Sequence, residues 1–88
     1  MERITMRLER IKDAAARQGV KPVTMYWRAR QGLATTPIKI GKRASAIPAS
    51  ETDALIAARV AGLSDDQIRA LVTSLHAERA NAVERLAA

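Results

Sequence analysis

The chain has 88 residues, with 15 Lys and Arg against nine Asp and Glu, and a formal net charge of +6. It contains no cysteine, which excludes disulfides, thiolate catalysis and cysteine-based zinc sites. With one Trp, one Tyr and no Phe, the core must be built from small and aliphatic side chains, which favours a small, mainly helical domain.

The positive charge is concentrated in the first half of the chain. Residues 1–47 hold eleven Lys and Arg against three acids, whereas residues 48–88 hold four Arg against six acids. A basic surface is typical of proteins that bind polyanions, because each neutralised phosphate releases condensed counterions. This asymmetry predicts a polyanionic partner.

Residues 3–18 predict a short strand followed by a helix. Ile4, Met6 and Leu8 alternate with polar residues, a period of two that fits a strand able to pair with a later hairpin. From residue 10 to residue 18 an alanine-rich run predicts a helix with one apolar face, which Gly19 closes.

Residues 19–32, GVKPVTMYWRARQG, predict a second, short helix. Proline is favoured at the first helical position, so the helix begins at Pro22 and ends before Gly32. A helix, a turn centred on Gly19 and a second helix have the spacing of a helix-turn-helix. We expect Met25 to pack on the first helix, and one of the two aromatic side chains to close the core.

The run PIKIGKRASAI predicts a β-hairpin with a basic tip. A two-residue loop beginning at the glycine would mix polar and apolar side chains on both faces. A three-residue loop, 41–43, sets Ile38 opposite Ala46. It also sets Ile40 opposite Ala44, which gives the hairpin an apolar underside, and we therefore prefer it.

Two further helices are predicted after the hairpin. Ser50 and the acids that follow it are typical of an N-cap and first turn, and this helix runs to Gly62. Residues 64–67, SDDQ, form a capping-box pattern that opens a last helix. The apolar stripe of that helix includes Ile68, Leu71, Val72 and Leu75.

Two alternatives are open for this apolar stripe. It folds back and completes the core of its own chain, or it packs on a neighbouring copy or another partner. We favour self-association on DNA, because the rest of the chain has few large apolar faces.

From about residue 10 to residue 59, the chain resembles the small winged helix-turn-helix proteins of the AlpA and excisionase type, relatives of the MerR DNA-binding module. The resemblance rests on an ordered set of features: IKDAAARQGV before a Pro-x-Thr-Met-Tyr helix, a closing glycine, the run PIKIGKR, and an acid-rich helix start leading to Arg59. Two positions depart from the family pattern. Lys21 stands where an N-cap Ser or Thr is usual, and Arg28 where a bulky apolar residue is common.

The resemblance implies that the second helix enters the major groove of double-stranded DNA and that the hairpin is a wing along the phosphates or an adjacent minor groove. The helix then offers side chains suited to base edges or phosphates, namely Lys21, Thr24, Trp27, Arg28, Arg30 and Gln31. The wing offers phosphate contacts from Lys39, Lys42 and Arg43.

No catalytic site, metal site, cofactor or small-molecule ligand is expected. His76 has no second metal ligand near it in the sequence, so a surface histidine is the better interpretation. The acids lie mainly at helix starts, where capping explains them. These observations exclude an enzyme.

The resemblance implies two functions that share this domain. The first is an excisionase, a recombination directionality factor that binds attachment-site DNA as several copies, bends it, and directs a tyrosine integrase towards excision of a mobile element. The second is an AlpA-type transcriptional regulator that binds a promoter. We favour the first, because the chain is small and adds a C-terminal helix. A basic RNA-binding or protein-interaction module remains a third hypothesis.

The expected fold is mainly α with a small β-hairpin, a winged helix-turn-helix with an extra C-terminal helix. We assign residues 1–62 to the DNA-binding domain and residues 63–88 to an amphipathic helix that packs on it or mediates assembly. No run of 18 apolar residues occurs, and the N-terminus is charged throughout. We therefore expect no membrane span and no signal peptide, and a cytoplasmic bacterial protein that joins the nucleoid when bound to DNA.

Overall fold

Helices dominate the computed structural model, which describes residues 6–87 and side chains as far as residue 84. Strand β1 (Leu8–Arg10) leads into helices α1 (Ile11–Arg17) and α2 (Pro22–Arg30). Strands β2 (Ile38–Gly41) and β3 (Ala44–Pro48) form a hairpin, and helices α3 (Ala49–Val60) and α4 (Asp65–Ala87) follow. The prediction of a mainly helical protein with a small β-hairpin is confirmed. Within the described range no helix is long and apolar enough to cross a membrane.

The three strands form one antiparallel sheet in the order β1-β3-β2. An N-terminal strand pairs with the hairpin as predicted, with Leu8 opposite Pro48. It covers Leu8–Arg10, however, so Met6 of the alternating pattern lies before it. Ile4, which the alternating pattern included, lies outside the described residues. In the hairpin Ile38 lies opposite Ala46, as predicted.

The predicted hairpin loop is one residue too long. The register shifts between Lys39 and Gly41, so that Gly41 and not Ile40 lies opposite Ala44. The loop is the pair 42–43. Ile40 is therefore an extra residue in β2 that has no partner in β3. An extra residue disrupts the alternation of side chains between the two faces of a strand, and the Ile40 side chain is 46% exposed.

Helix α1 ends in a glycine cap that two other helices repeat. Gly19 has φ 71°, its N–H donates to the Ala16 carbonyl at 3.1 Å, and the Val20 N–H donates to the Ala15 carbonyl at 3.0 Å. These are the two bonds of a Schellman motif. The same bonds accompany the other positive-φ glycines, Gly32 and Gly62. The apolar residue after each glycine packs against the core: Val20, Leu33 and Leu63.

Among the described residues, buried apolar side chains form two core clusters. The first joins α1, α2 and β3 through Ile11, Ala14, Ala15, Met25 and Ile47. Met25 therefore packs on α1, as predicted. The second cluster joins the segment after α2 to α3 and α4 through Leu33, Ala34, Leu55, Ala58, Ile68 and Val72.

The first half of α4 folds back onto its own chain. Ile68 and Val72 are 1% and 3% exposed within the second cluster, and Leu71 and Leu75 pack against it half-buried. These contacts correspond to the first of the two alternatives for the apolar stripe. Assembly on a neighbouring copy, which we favoured, stays a prediction. The stripe is covered here by Leu55 and Ala58 of α3 and by Leu33 and Ala34 of the segment after α2.

The start of α3 differs from its prediction, whereas the start of α4 agrees with it. Helix α3 begins at Ala49 with Pro48 in the N-cap position and no side-chain cap, so Ser50 lies inside the helix. The capping box of α4 is present in both directions. The Ser64 N–H donates to Gln67 Oε1 at 2.9 Å, and the Gln67 N–H donates to Ser64 Oγ at 3.2 Å.

A buried ion pair joins α4 to α3 and to the segment before the hairpin. Arg79 Nε and Nη2 donate to the two carboxylate oxygens of Glu51, each at 2.7 Å, and the Glu51 side chain is only 5% exposed. Arg79 Nη2 also donates to the Thr36 carbonyl at 2.8 Å. The Thr36 N–H donates to Nε2 of half-buried His76 at 3.0 Å. Capping therefore does not explain Glu51, and His76 has a structural partner.

We expect Gly19→Ala to destabilise the protein by about 1–2 kcal/mol, the cost of a left-handed backbone for a residue with a Cβ. Nothing lies within 4 Å of the added Cβ, so the loss comes from the backbone alone. Gly41→Ala is the matched control, because Gly41 is not left-handed and its Cβ would meet Ala44 Cβ at 3.8 Å. Urea denaturation should show a change below about 0.5 kcal/mol for the control. Equal losses would contradict the assigned caps.

We expect Arg79→Ala to lower the free energy of unfolding by about 2–3 kcal/mol, because it leaves the Glu51 carboxylate buried without its partner. The loss stays below that of a fully buried pair since 24% of the Arg79 side chain is exposed. The double variant Glu51→Leu/Arg79→Met should recover most of the stability, because two apolar side chains need no counter-charge. A double variant as unstable as Arg79→Ala would show that the charge is not the cause.

Candidate nucleic-acid interface

The orientation of α2 is set by one buried side chain and a short turn. Met25 is 1% exposed and packs between α1 and β3. Residues 18–21 connect the two helices, and Pro22 occupies the first turn of α2, where its missing N–H costs nothing. Ala14 and Ala15 are fully buried, so α2 lies close to α1 with no space for a larger ring between them. The side of α2 away from Met25 therefore faces outward.

The outward face of α2 carries both aromatic side chains. Val23, Tyr26, Trp27 and Arg30 follow the i, i+3, i+4, i+7 spacing of one helix face. Val23 is 70% exposed, Tyr26 43% and Trp27 57%. The expectation that one aromatic closes the core is therefore wrong, because Met25 is the α2 side chain that is buried against α1 and β3. Three large apolar side chains, two of them aromatic, thus lie next to one another on the surface of α2.

The structure separates the six residues predicted on or before α2. Lys21, Trp27, Arg30 and Gln31 are exposed, whereas Thr24 and Arg28 are half-buried at the edge of the outward face. The Lys21 carbonyl accepts the Thr24 N–H at 3.0 Å, which closes the first turn of the helix. The six residues therefore differ in how accessible they are to a ligand.

The predicted wing residues lie on the hairpin and are all exposed. Lys39 lies on β2 opposite Ser45, and Lys42 and Arg43 form the loop. Ile47, on β3 of the same hairpin, lies in the cluster that holds Met25. The hairpin and α2 are thus fixed to one small core.

Within the described residues, the ion pairs of α1, α2 and the three strands all involve Arg17 of α1. Its guanidinium donates to both oxygens of Glu9, at 2.9 and 3.0 Å, and to Asp53 Oδ1. Hydrogen bonds to Asp53 and then Glu9 raise the pKa of Arg17 above its ordinary value. Within residues 6–84 no carboxylate pairs with the exposed cations of α2 and the hairpin. The surface therefore keeps its positive charge.

Sequence reasoning missed Arg59, on α3, which lies near Arg28. The two side chains line one cleft with Ile56 and Val60. Burial, and then the positive charge of Arg59, lower the pKa of Arg28 below its ordinary value. A terminal Arg in a helix is usually explained by the helix dipole, so no local pattern distinguishes it.

The described residues offer little for catalysis or metal binding. No group of three or more His, Asp or Glu side chains within them is arranged to hold a metal ion. A cleft of about 530 Å³ between β1 and the start of α3 is lined mainly by apolar side chains, with Asp53 as its one carboxylate. Asp53 is already bound to Arg17.

Comparisons with protein-family models, with curated proteins and with solved structures return no match.

We expect Trp27→Ala to change the free energy of unfolding by no more than about 1 kcal/mol, because the ring is largely exposed. Met25→Ala should cost about 2–5 kcal/mol, since it leaves a cavity between α1 and β3. Trp27 is the only tryptophan in the chain, so its fluorescence provides an independent readout. Its emission should be typical of a tryptophan in water and accessible to iodide quenching. A protected tryptophan, or equal losses for the two variants, would contradict the assigned orientation of α2.

Proposed function

We propose that this protein binds double-stranded DNA through α2 and the β2–β3 hairpin, as a winged helix-turn-helix protein of the AlpA and excisionase type. The observation that carries the proposal is a set of exposed cations on these two elements without acid partners in residues 6–84: Lys21, Arg30, Lys39, Lys42 and Arg43. A duplex supplies the missing counter-charge, and counterion release drives the association.

The dimensions of α2 suit the major groove. A nine-residue helix is about 14 Å long and 10–12 Å wide with its side chains, and the groove is about 12 Å wide. In this arrangement Arg30 can donate two hydrogen bonds to a guanine, and Val23 can contact a thymine methyl group. Gln31, at the end of the helix, can reach an adenine or a phosphate.

The hairpin residues act differently in this proposal. Lys39, Lys42 and Arg43 contact phosphates, which requires only charge and reach and carries no sequence information. Lys21, before the first turn of α2, does the same. These contacts set affinity, and the face of α2 sets sequence preference.

The cellular role that we propose is that of an excisionase, which binds several copies side by side at an attachment site, bends the DNA and directs a tyrosine integrase towards excision. A small protein can do this without catalytic residues, because bending and packing on DNA are themselves the activity. One observation favours an AlpA-type transcriptional regulator as a second candidate. Ile68 and Val72 of α4 are buried within the chain, so they do not provide an assembly surface.

Duplex binding measured across a salt series tests the proposed DNA contacts. We expect Lys42→Ala/Arg43→Ala to weaken binding to all duplexes alike, with the slope of log K against log salt reduced by about 1.8, or about 0.9 for each phosphate contact. Arg30→Ala should instead relax base preference at one position by about 1–3 kcal/mol.

Ser74→Glu/Asn81→Glu on α4 is the matched control, because both side chains are exposed and the double variant lowers the net charge by the same two units. It should keep the wild-type slope. If the hairpin variant binds duplex DNA as tightly as this control, the hairpin does not contact the DNA. Duplex binding that is independent of salt would overturn the proposal as a whole.

Long and short duplexes that contain the preferred site separate the two cellular roles. An excisionase should give a ladder of complexes on long DNA and bend it, as seen by gel shift with circularly permuted probes. One or two discrete complexes without bending would favour the regulator.

A further inference from the structure

We infer that Arg28 and Arg59 form a phosphate clamp, a pair of guanidinium groups at one cleft between α2 and α3 that together bind a single phosphate of the DNA backbone. The inference rests on the proposed DNA binding and deepens it, because it adds an α3 residue to the interface and gives Arg28 a backbone contact instead of a base contact.

The cleft has the size and lining of a small anion site. Its volume is about 190 Å³, and it is lined by Arg17, Gln18, Arg28, Ile56, Arg59 and Val60. This volume exceeds that of several waters, each of which occupies about 30 Å³ in the liquid. Ile56 and Val60 supply an apolar wall along which an arginine stem can lie while its guanidinium stays accessible.

Two of the four polar lining side chains are already occupied. Arg17 is bound by Glu9 and Asp53, so its charge is compensated. The Gln18 side-chain amide donates to the Ala14 carbonyl at 3.5 Å and to Met25 Sδ at 3.4 Å. Arg28 and Arg59 remain as the free donors of the cleft, because neither is paired with a carboxylate in residues 6–84.

The arginine pair costs stability unless an anion lies between its members. Arg28 loses hydration through burial and is repelled by Arg59, and both effects lower its pKa. The fold does not need this pair, since α2 is held by Met25 and α3 by Leu55 in the two core clusters. A phosphate would relieve the repulsion, and each planar guanidinium can donate two parallel hydrogen bonds to its oxygens.

The position of Arg28 on α2 favours the backbone over the bases. Arg28 is half-buried on the flank that faces α3, whereas Trp27 and Arg30 lie on the outward face. A helix of 10–12 Å diameter nearly fills a groove about 12 Å wide, so its flanks lie against the two phosphate strands. Arg59, on the neighbouring helix, can approach the same strand from outside the groove.

Arg28→Met, Arg59→Met and the double variant test the clamp. Methionine keeps an unbranched stem in the cleft and removes the charge. A cooperative thermal melt with a Tm no lower than that of the wild type confirms that each variant is folded. We expect each single variant to bind specific and random duplexes roughly tenfold more weakly, with a salt slope lower by about 0.9. The double variant should be no weaker than the weaker single variant, because both side chains serve one phosphate.

Ser74→Glu is the matched control for a change of one charge, since Ser74 is exposed on α4. In a series of duplexes, each with one neutral methylphosphonate in place of a different phosphate, one duplex should bind wild type and Arg59→Met equally tightly. In that duplex the phosphate held by the clamp has lost its charge. Additive losses, or a loss for Arg28→Met restricted to one base pair, would overturn the clamp. Wild-type slopes for the variants would also overturn it, while leaving the proposed function intact. If the wild type itself shows no salt-dependent duplex binding, the proposed function fails.

Discussion

The bidentate ion pair between Glu51 and Arg79 is the interaction on which the rest of the arrangement depends. It ties the long α4 to the start of α3, and Arg79 also holds the Thr36 carbonyl. With His76 accepting the Thr36 N–H, α4 fixes the segment that leads from α2 into the hairpin. This connection adds to the two small core clusters of the described residues, since apolar burial alone stabilises small domains weakly. Its buried carboxylate also makes the arrangement sensitive to loss of one arginine.

The small size of the first core cluster also explains why large side chains are exposed on α2. Alanines on α1 allow α2 to approach closely, and Met25 fills the space that remains. Tyr26 and Trp27 consequently have no place inside and lie on the surface with Val23. In the proposed complex, this apolar face and Arg30 contact the bases. The close packing of α2 on α1, which leaves the aromatic side chains outside, thus also forms the recognition surface.

Charge is distributed in a way that complements this packing. Two acids near the first core cluster are occupied, since Glu9 and Asp53 both bind Arg17. Within residues 6–84, the cations of α2 and the hairpin have no carboxylate partner, and Arg28 and Arg59 repel each other across a cleft. The cations of this surface repel one another in the free protein. A polyanion attracts all of them, so its binding offsets this repulsion. In the proposed phosphate clamp, a single phosphate relieves the repulsion between two arginines in this way.

The sequence by itself determined the features that depend on near neighbours. Gly19 and the Ser64–Gln67 capping box act within one helical turn, so they are visible as short patterns and are confirmed. Only the tertiary structure decided that Glu51 pairs with Arg79 and that Arg28 lies near Arg59, because partners far apart in the chain leave no local periodicity. The orientation of Trp27 was also decided by the tertiary structure alone. It depends on how much space α1 leaves for α2, which is set by the packing of two helices and by no residue of α2 alone.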